Sequence, residues 1–78
     1  MTAYIYYLPN CPKCKMTVNL FNRGSIKVVS IPLSDSMEEE MITKGQHSAP
    51  LVQIRNDGKL IDEWNDFRPE LIKQYMGE

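Results

Sequence analysis

Histidine occurs once in this chain, as His47, and cysteine only twice, as Cys11 and Cys14. A closed structural zinc site takes four ligands, drawn mostly from these two residue types, so it is excluded as the organising principle of the fold. Two cysteines are also too few to staple a small secreted scaffold, and the ring between positions 11 and 14 is too short to constrain much chain. No apolar run approaches the roughly 18 residues of a membrane span, and the first strand-like run follows Met1 with no basic signal region, so a soluble, unexported, cytoplasmic protein is expected. Neither sign of charge is in excess. Nine basic against ten acidic residues give a net charge of -1, with no overall basic field to draw nucleic acid. There is no internal repeat, low-complexity tract or linker, and 78 residues fit one domain, 1–78.

What is present is ordinary globular material, with 42% hydrophobic and 24% charged residues. The run Thr2 to Leu8 is dense in aromatic and branched residues and stops at Pro9-Asn10, which predicts a buried strand and a break. Pro12 stands where a helix best tolerates proline, and Met16, Val18, Leu20 and Phe21 follow as its apolar positions before Gly24, a C-terminal cap residue. Ile26 to Ile31 reads as a second strand stopped by Pro32, completing a βαβ unit with parallel pairing. Ser36 and Glu39 have capping-box spacing, predicting a short helix that runs to Lys44 before Gly45. Leu51 to Arg55 and Leu60 to Trp64 read as an antiparallel hairpin turning at Asp57-Gly58. Pro69 opens a last helix whose Leu71, Ile72, Tyr75 and Met76 make one apolar stripe. The resulting order is β-α-β-α-β-β-α, an α/β domain. Tyr6, Tyr7 and Met16 are expected to pack, the acidic run Glu38 to Glu40 to be a solvated helix face, and His47 to be a surface or hydrogen-bonded residue.

The chemistry concentrates at Cys11-Pro12-Lys13-Cys14. A Cys-x-x-Cys after a strand and at the start of a helix is a redox arrangement. Unpaired N–H groups and the positive end of the helix dipole stabilise a thiolate at Cys11, and Lys13 and Lys15 add positive charge. An unperturbed thiol with a pKa of about 8.5 is only a few per cent ionised at neutral pH, so lowering it to about 7 increases the reactive fraction roughly tenfold. Cys11 is the expected nucleophile. Cys14, one helical turn on, is the expected resolving thiol, able to attack a mixed disulfide on Cys11.

The chain resembles the glutaredoxin-like branch of the thioredoxin superfamily, and within it the NrdH-redoxins. The resemblance rests on the opening strand with Pro9 and the Cys11–Cys14 motif, on Gly45 through Ser48-Ala49-Pro50-Leu51-Val52, and on Trp64-Asn65-Asp66-Phe67-Arg68-Pro69-Glu70. The family typically has Trp-Ser-Gly-Phe-Arg-Pro-Asp in the last place, so Trp64, Phe67, Arg68 and Pro69 match while Asn65, Asp66 and Glu70 depart. Lys13 also departs, because glutamine usually precedes the second cysteine. The resemblance implies a thioredoxin-like fold with a central four-stranded mixed sheet flanked by helices, and a cis Pro50 facing the cysteines with the Ala49 backbone open to substrate. It further implies that Pro12, Lys13, Ala49 and Pro50 bind substrate, and that Trp64, Phe67 and Arg68 shape a surface for a flavoprotein reductase. Lys13 serves thiolate stabilisation or a glutathione carboxylate equally well.

The function so implied is a monomeric dithiol electron carrier with no cofactor beyond the redox-active Cys11–Cys14 disulfide. It takes electrons from thioredoxin reductase and passes them to protein disulfides, those of class Ib ribonucleotide reductase above all. Two alternatives stand beside it. A glutathione-dependent glutaredoxin is disfavoured by the absence of the Gly-Gly and Asp-Asp pairs such proteins carry after the last strand. An iron-sulfur binding module would instead hold a cluster between two chains through Cys11.

Overall fold

The Thr2–Tyr7 strand, β1, alternates as its residue types require: Ala3 and Ile5 are fully buried and their neighbours less so. In the computed structural model, which describes residues 1–76, it is followed by α1 (Pro12–Phe21), β2 (Lys27–Pro32), α2 (Asp35–Thr43), β3 (Leu51–Asn56), β4 (Lys59–Asn65) and α3 (Pro69–Ile72). A 3₁₀ turn, Lys73–Tyr75, extends α3. This is the element order the sequence predicts. The sheet order is β2-β1-β3-β4, with β1 and β2 parallel and the other two pairs antiparallel. The fold is thioredoxin-like, a mixed four-stranded sheet with helices against it.

The strand positions explain several local departures from expectation. Pro32 does not stop β2 but pairs with Tyr7 as its last residue. Because β2 lies at the sheet edge, the N–H that proline lacks is not needed by a further neighbour. Central β3 carries the densest apolar run, with Leu51, Val52 and Ile54 all buried. At the hairpin, Asp57 and Gly58 have φ of 53° and 79°, the two positive values that a two-residue type I′ turn requires. A register shift at Ile54/Arg55 follows, and Leu60 and Ile61 are left exposed on the edge strand.

The helices differ more. In α1 the inward residues are Cys14, Thr17 and Phe21, spaced by three and four, whereas Met16 is 45% exposed and does not pack as expected. Thr17 is tolerated inside because its hydroxyl donates to the Lys13 carbonyl at 2.8 Å. Helix α2 starts two residues early: its cap is Ser34, whose Oγ accepts from Met37 N at 3.2 Å, and not Ser36. A serine cap needs no glutamate partner, so the capping-box spacing at Ser36 was a coincidence of composition. The last helix is a single α turn that tightens into 3₁₀ geometry, a common way for a short helix to end. Its apolar stripe survives, with Ile72 fully buried and Leu71, Tyr75 and Met76 packed on the core.

The core comprises Ala3, Ile5, Phe21, Val52, Ile54, Trp64 and Ile72. Trp64 lies between Phe21 and Tyr75, with ring centroids 6.4 and 6.0 Å away and planes 21° apart in both pairs. This row fixes α1 and the C-terminal turns against the end of β4, and so fixes the start of α1, where the cysteines are.

Candidate active site

The chain leaves β1 through Leu8 and Pro9 and turns at Asn10, whose φ of 56° is one that asparagine adopts more readily than most residues. Cys11 is then the N-cap of α1, in extended conformation with φ -112° and ψ 101°, and Pro12 is the first helical residue. Cys11 Sγ accepts from Cys14 N at 3.2 Å, taking the place of an ordinary capping oxygen. The Cys14 N–H thus points at this sulfur, at the positive end of the helix dipole, the geometry that favours negative charge there. Cys11 and Cys14 form a disulfide with a Cα–Cα distance of 5.3 Å, within the usual range. The two sulfurs are not equally accessible. Cys11 is part-exposed, whereas Cys14 is buried at 4% exposure.

A second segment faces this turn. Ser48 and Ala49 line an open groove together with Leu8, Pro9, Asn10, Cys11, Pro12 and Lys13. The Ala49–Pro50 bond is cis. Pro50 is fully buried behind the groove, and its carbonyl accepts from Asp66 N at 3.0 Å. Asn65 adds a donor from Nδ2 to the Ser48 carbonyl, also at 3.0 Å. The loop before β3 is therefore pinned to the end of β4. Of the residues singled out in the sequence, Cys11, Pro12, Lys13 and Ala49 share one surface, with Pro50 beneath it. His47 is exposed and lines a neighbouring pocket with Leu33 and Met41.

The third segment is divided. Trp64 is a core residue, 5% exposed, so it shapes the surface from below rather than forming it. Phe67 is part-exposed, and Arg68 is exposed and paired with Glu70, Nε to Oε2 at 2.7 Å. That guanidinium holds the Glu70 carboxyl below its ordinary range. Asp66 between them was singled out only as a departure from the family pattern, yet it reaches the redox motif. Lys13 Nζ lies 3.0 Å from Asp66 Oδ1, and the same oxygen accepts from Phe67 N at 2.7 Å. The Lys13 hydrogen bond, then that of the Phe67 amide, lowers the Asp66 pKa. The signal in the sequence was a pair of coupled departures, a new cation at position 13 and a new anion at position 66. Among the described residues, no three His, Cys, Asp or Glu side chains converge as metal ligands.

The glutaredoxin family model matches residues 3–61, more than half of the chain. The chain belongs to the glutaredoxin family. The match ends before Trp64, so the Trp64–Glu70 segment lies outside it. The glutaredoxin fold here is similar to that of NrdH-redoxin from Escherichia coli, a glutaredoxin-like protein described as having a thioredoxin-like activity profile. The TM-score is 0.77 at 23% identity, covering 96% of this chain and 95% of that one. It is also similar to Plasmodium falciparum thioredoxin, with a TM-score of 0.57 at 14% identity, over 94% of this chain and 83% of that one. These likenesses establish the fold. No curated protein sequence matches the chain. A glutaredoxin with its Cys-x-x-Cys pair closed at a helix N-terminus is a thiol-disulfide oxidoreductase in the general sense. Among the described residues, no helix is long and apolar enough to cross a membrane.

Proposed function

We propose that this glutaredoxin is a monomeric cytoplasmic dithiol carrier that reduces protein disulfides, is itself reduced by thioredoxin reductase, and serves ribonucleotide reductase. The observation that carries the proposal is the inequality of the two sulfurs: Cys11 opens onto the groove, and Cys14 is buried one turn behind it. In the reduced chain the Cys11 thiolate attacks one sulfur of a partner disulfide. A Cys11–partner bond forms, the partner S–S bond breaks, and the departing sulfur leaves with the electron pair as a thiolate that takes up a proton. Cys14, having lost its proton, then attacks Cys11 Sγ, closing the Cys11–Cys14 bond and expelling the second partner thiolate. Two electrons pass to the partner, and NADPH restores them through the reductase. No bound cofactor takes part.

The partner strand would lie along Ser48 and Ala49, whose backbone borders the groove beside Cys11, with Pro12 and Lys13 on the other side. Pro50 would hold that wall in place. Phe67 and Arg68, on the surface above Trp64, would meet the reductase. The thioredoxin-like activity profile ascribed to the similar Escherichia coli redoxin supports reductase over glutathione, as do the missing Gly-Gly and Asp-Asp pairs.

Following NADPH consumption by the oxidised chain tests the reading, in one arm with thioredoxin reductase and in the other with glutathione plus glutathione reductase. Turnover dominated by the thioredoxin reductase arm is expected. Fast turnover confined to the glutathione arm would defeat it.

A further inference from the structure

We infer that Asp66 determines the charge class of disulfide that reaches Cys11, by holding the Lys13 ammonium in an ion pair and so withdrawing the preference for anionic partners that a free ammonium would give the groove. The inference rests on the carrier reading above and deepens it. Among the described residues lining the groove at Cys11, Lys13 is the one with a charged side chain. Left free, it would give the entrance a net positive charge and draw carboxylates toward the attacking sulfur. Its Nζ is instead 3.0 Å from Asp66 Oδ1, so the entrance carries a neutral pair.

The pair has little to do with stability. Its side chains are 53% and 36% exposed, and ion pairs so placed contribute little to folding. The Asp66 backbone is held at φ 75°, a left-handed conformation that aspartate and asparagine adopt more often than most residues. The position is fixed by two hydrogen bonds, since Asp66 N donates to the Pro50 carbonyl and Phe67 N donates to Asp66 Oδ1. Asp66 therefore stands on the same strut that supports the Ala49 wall, with its carboxylate aimed at position 13. Lys15 does not substitute for Lys13, because it borders a separate apolar surface with Tyr7, Cys14 and Val18.

The chemical consequence concerns glutathione disulfide and acidic peptide disulfides. Each presents carboxylates close to the sulfur under attack, and each would gain from a free ammonium beside Cys11. With Lys13 paired, that gain is withdrawn, whereas a disulfide with neutral or basic flanks loses nothing.

The test compares second-order rate constants of the reduced chain with glutathione disulfide, hydroxyethyl disulfide and cystamine, which are anionic, neutral and cationic. Asp66→Asn suits the purpose because asparagine adopts positive φ readily and retains an oxygen for the Phe67 amide. In the variant the glutathione disulfide rate should rise about threefold or more relative to hydroxyethyl disulfide, and the cystamine rate should fall by a similar factor. The difference should shrink in about 0.5 M salt. In a Lys13→Gln background the same substitution should change the ratios by half as much or less. Equal effects in both backgrounds would mean that Asp66 acts through its own charge alone, and a parallel change with all three disulfides would mean a structural role. Either result overturns the inference. Should Asp66→Asn fail to fold, carboxylate titration of Asp66 by NMR in the unaltered chain and in Lys13→Gln decides, with a higher midpoint in the variant expected and equal midpoints overturning the pair. If the unaltered chain fails to reduce even hydroxyethyl disulfide, the carrier reading falls first and the inference falls with it.

Discussion

Tyr75 ends the aromatic row behind the site, and its hydroxyl donates to Asp62 Oδ2 at 2.8 Å. That hydrogen bond, with burial and the nearby carboxylate charge, raises the phenol pKa above its ordinary value. The folded pKa therefore exceeds the unfolded one of about 10, so the stabilisation is complete below about pH 10 and is lost as pH rises through the folded value. Thermal melts between about pH 9 and pH 11.5 should accordingly show a steeper fall in Tm for the unaltered chain than for Tyr75→Phe. Parallel curves would show that the hydrogen bond carries no linkage. The cysteine and Pro12 positions were legible at this scale because helix caps are local. The sequence points to Met16 and not to the buried Thr17 because a ten-residue helix offers few repeats to fix the phase of its buried face. Asp66 was out of reach of any local rule, since its partner Lys13 lies at the other end of the chain.

At the scale of elements, glycine gave a right boundary for a partly wrong reason. Gly24 marks the end of α1, as the sequence suggests, but its φ is not positive and the cap itself is Asn22. Glycine is needed there because a Cβ would fall on the backbone of Met76, 2.8 Å from its Cα. Ser25 N donates to the Met76 carbonyl at 2.9 Å beside it, closing the C-terminal turns onto the α1–β2 connection. Gly24→Ala should therefore cost about 1–3 kcal/mol, as overpacking of a fitted contact does, measured by the shift in denaturant midpoint. Alkylation of Cys11 in the reduced protein should be unchanged, because the active-site turn is at the opposite end of α1. A midpoint equal to that of the unaltered chain would contradict this account of the close approach. The Ser34 cap and the 3₁₀ ending were hidden for a related reason. The first depends on where β2 delivers the chain and the second on the closure of Met76 onto Ser25, neither of which spacing within a helix encodes.

For the whole molecule, the mixed sheet was readable from the alternation of strand and helix signals and from the Asp57-Gly58 turn. The site is assembled from three separated stretches, around Cys11, Ala49 and Asp66. Only the first announced itself chemically. The Ala49–Pro50 wall came through family resemblance, because an X–Pro bond is cis in only about 5% of cases and nothing local marks this one. The division of labour between an open Cys11 and a buried Cys14 is the central claim, and trapping tests it most directly. Reduced Cys14→Ser and Cys11→Ser proteins are each mixed with a protein disulfide, and the products are read by intact mass and peptide mapping. The account predicts a mixed disulfide accumulating on Cys11 in Cys14→Ser and only background reaction in Cys11→Ser. An adduct forming through Cys14 in Cys11→Ser at an undiminished rate would contradict it.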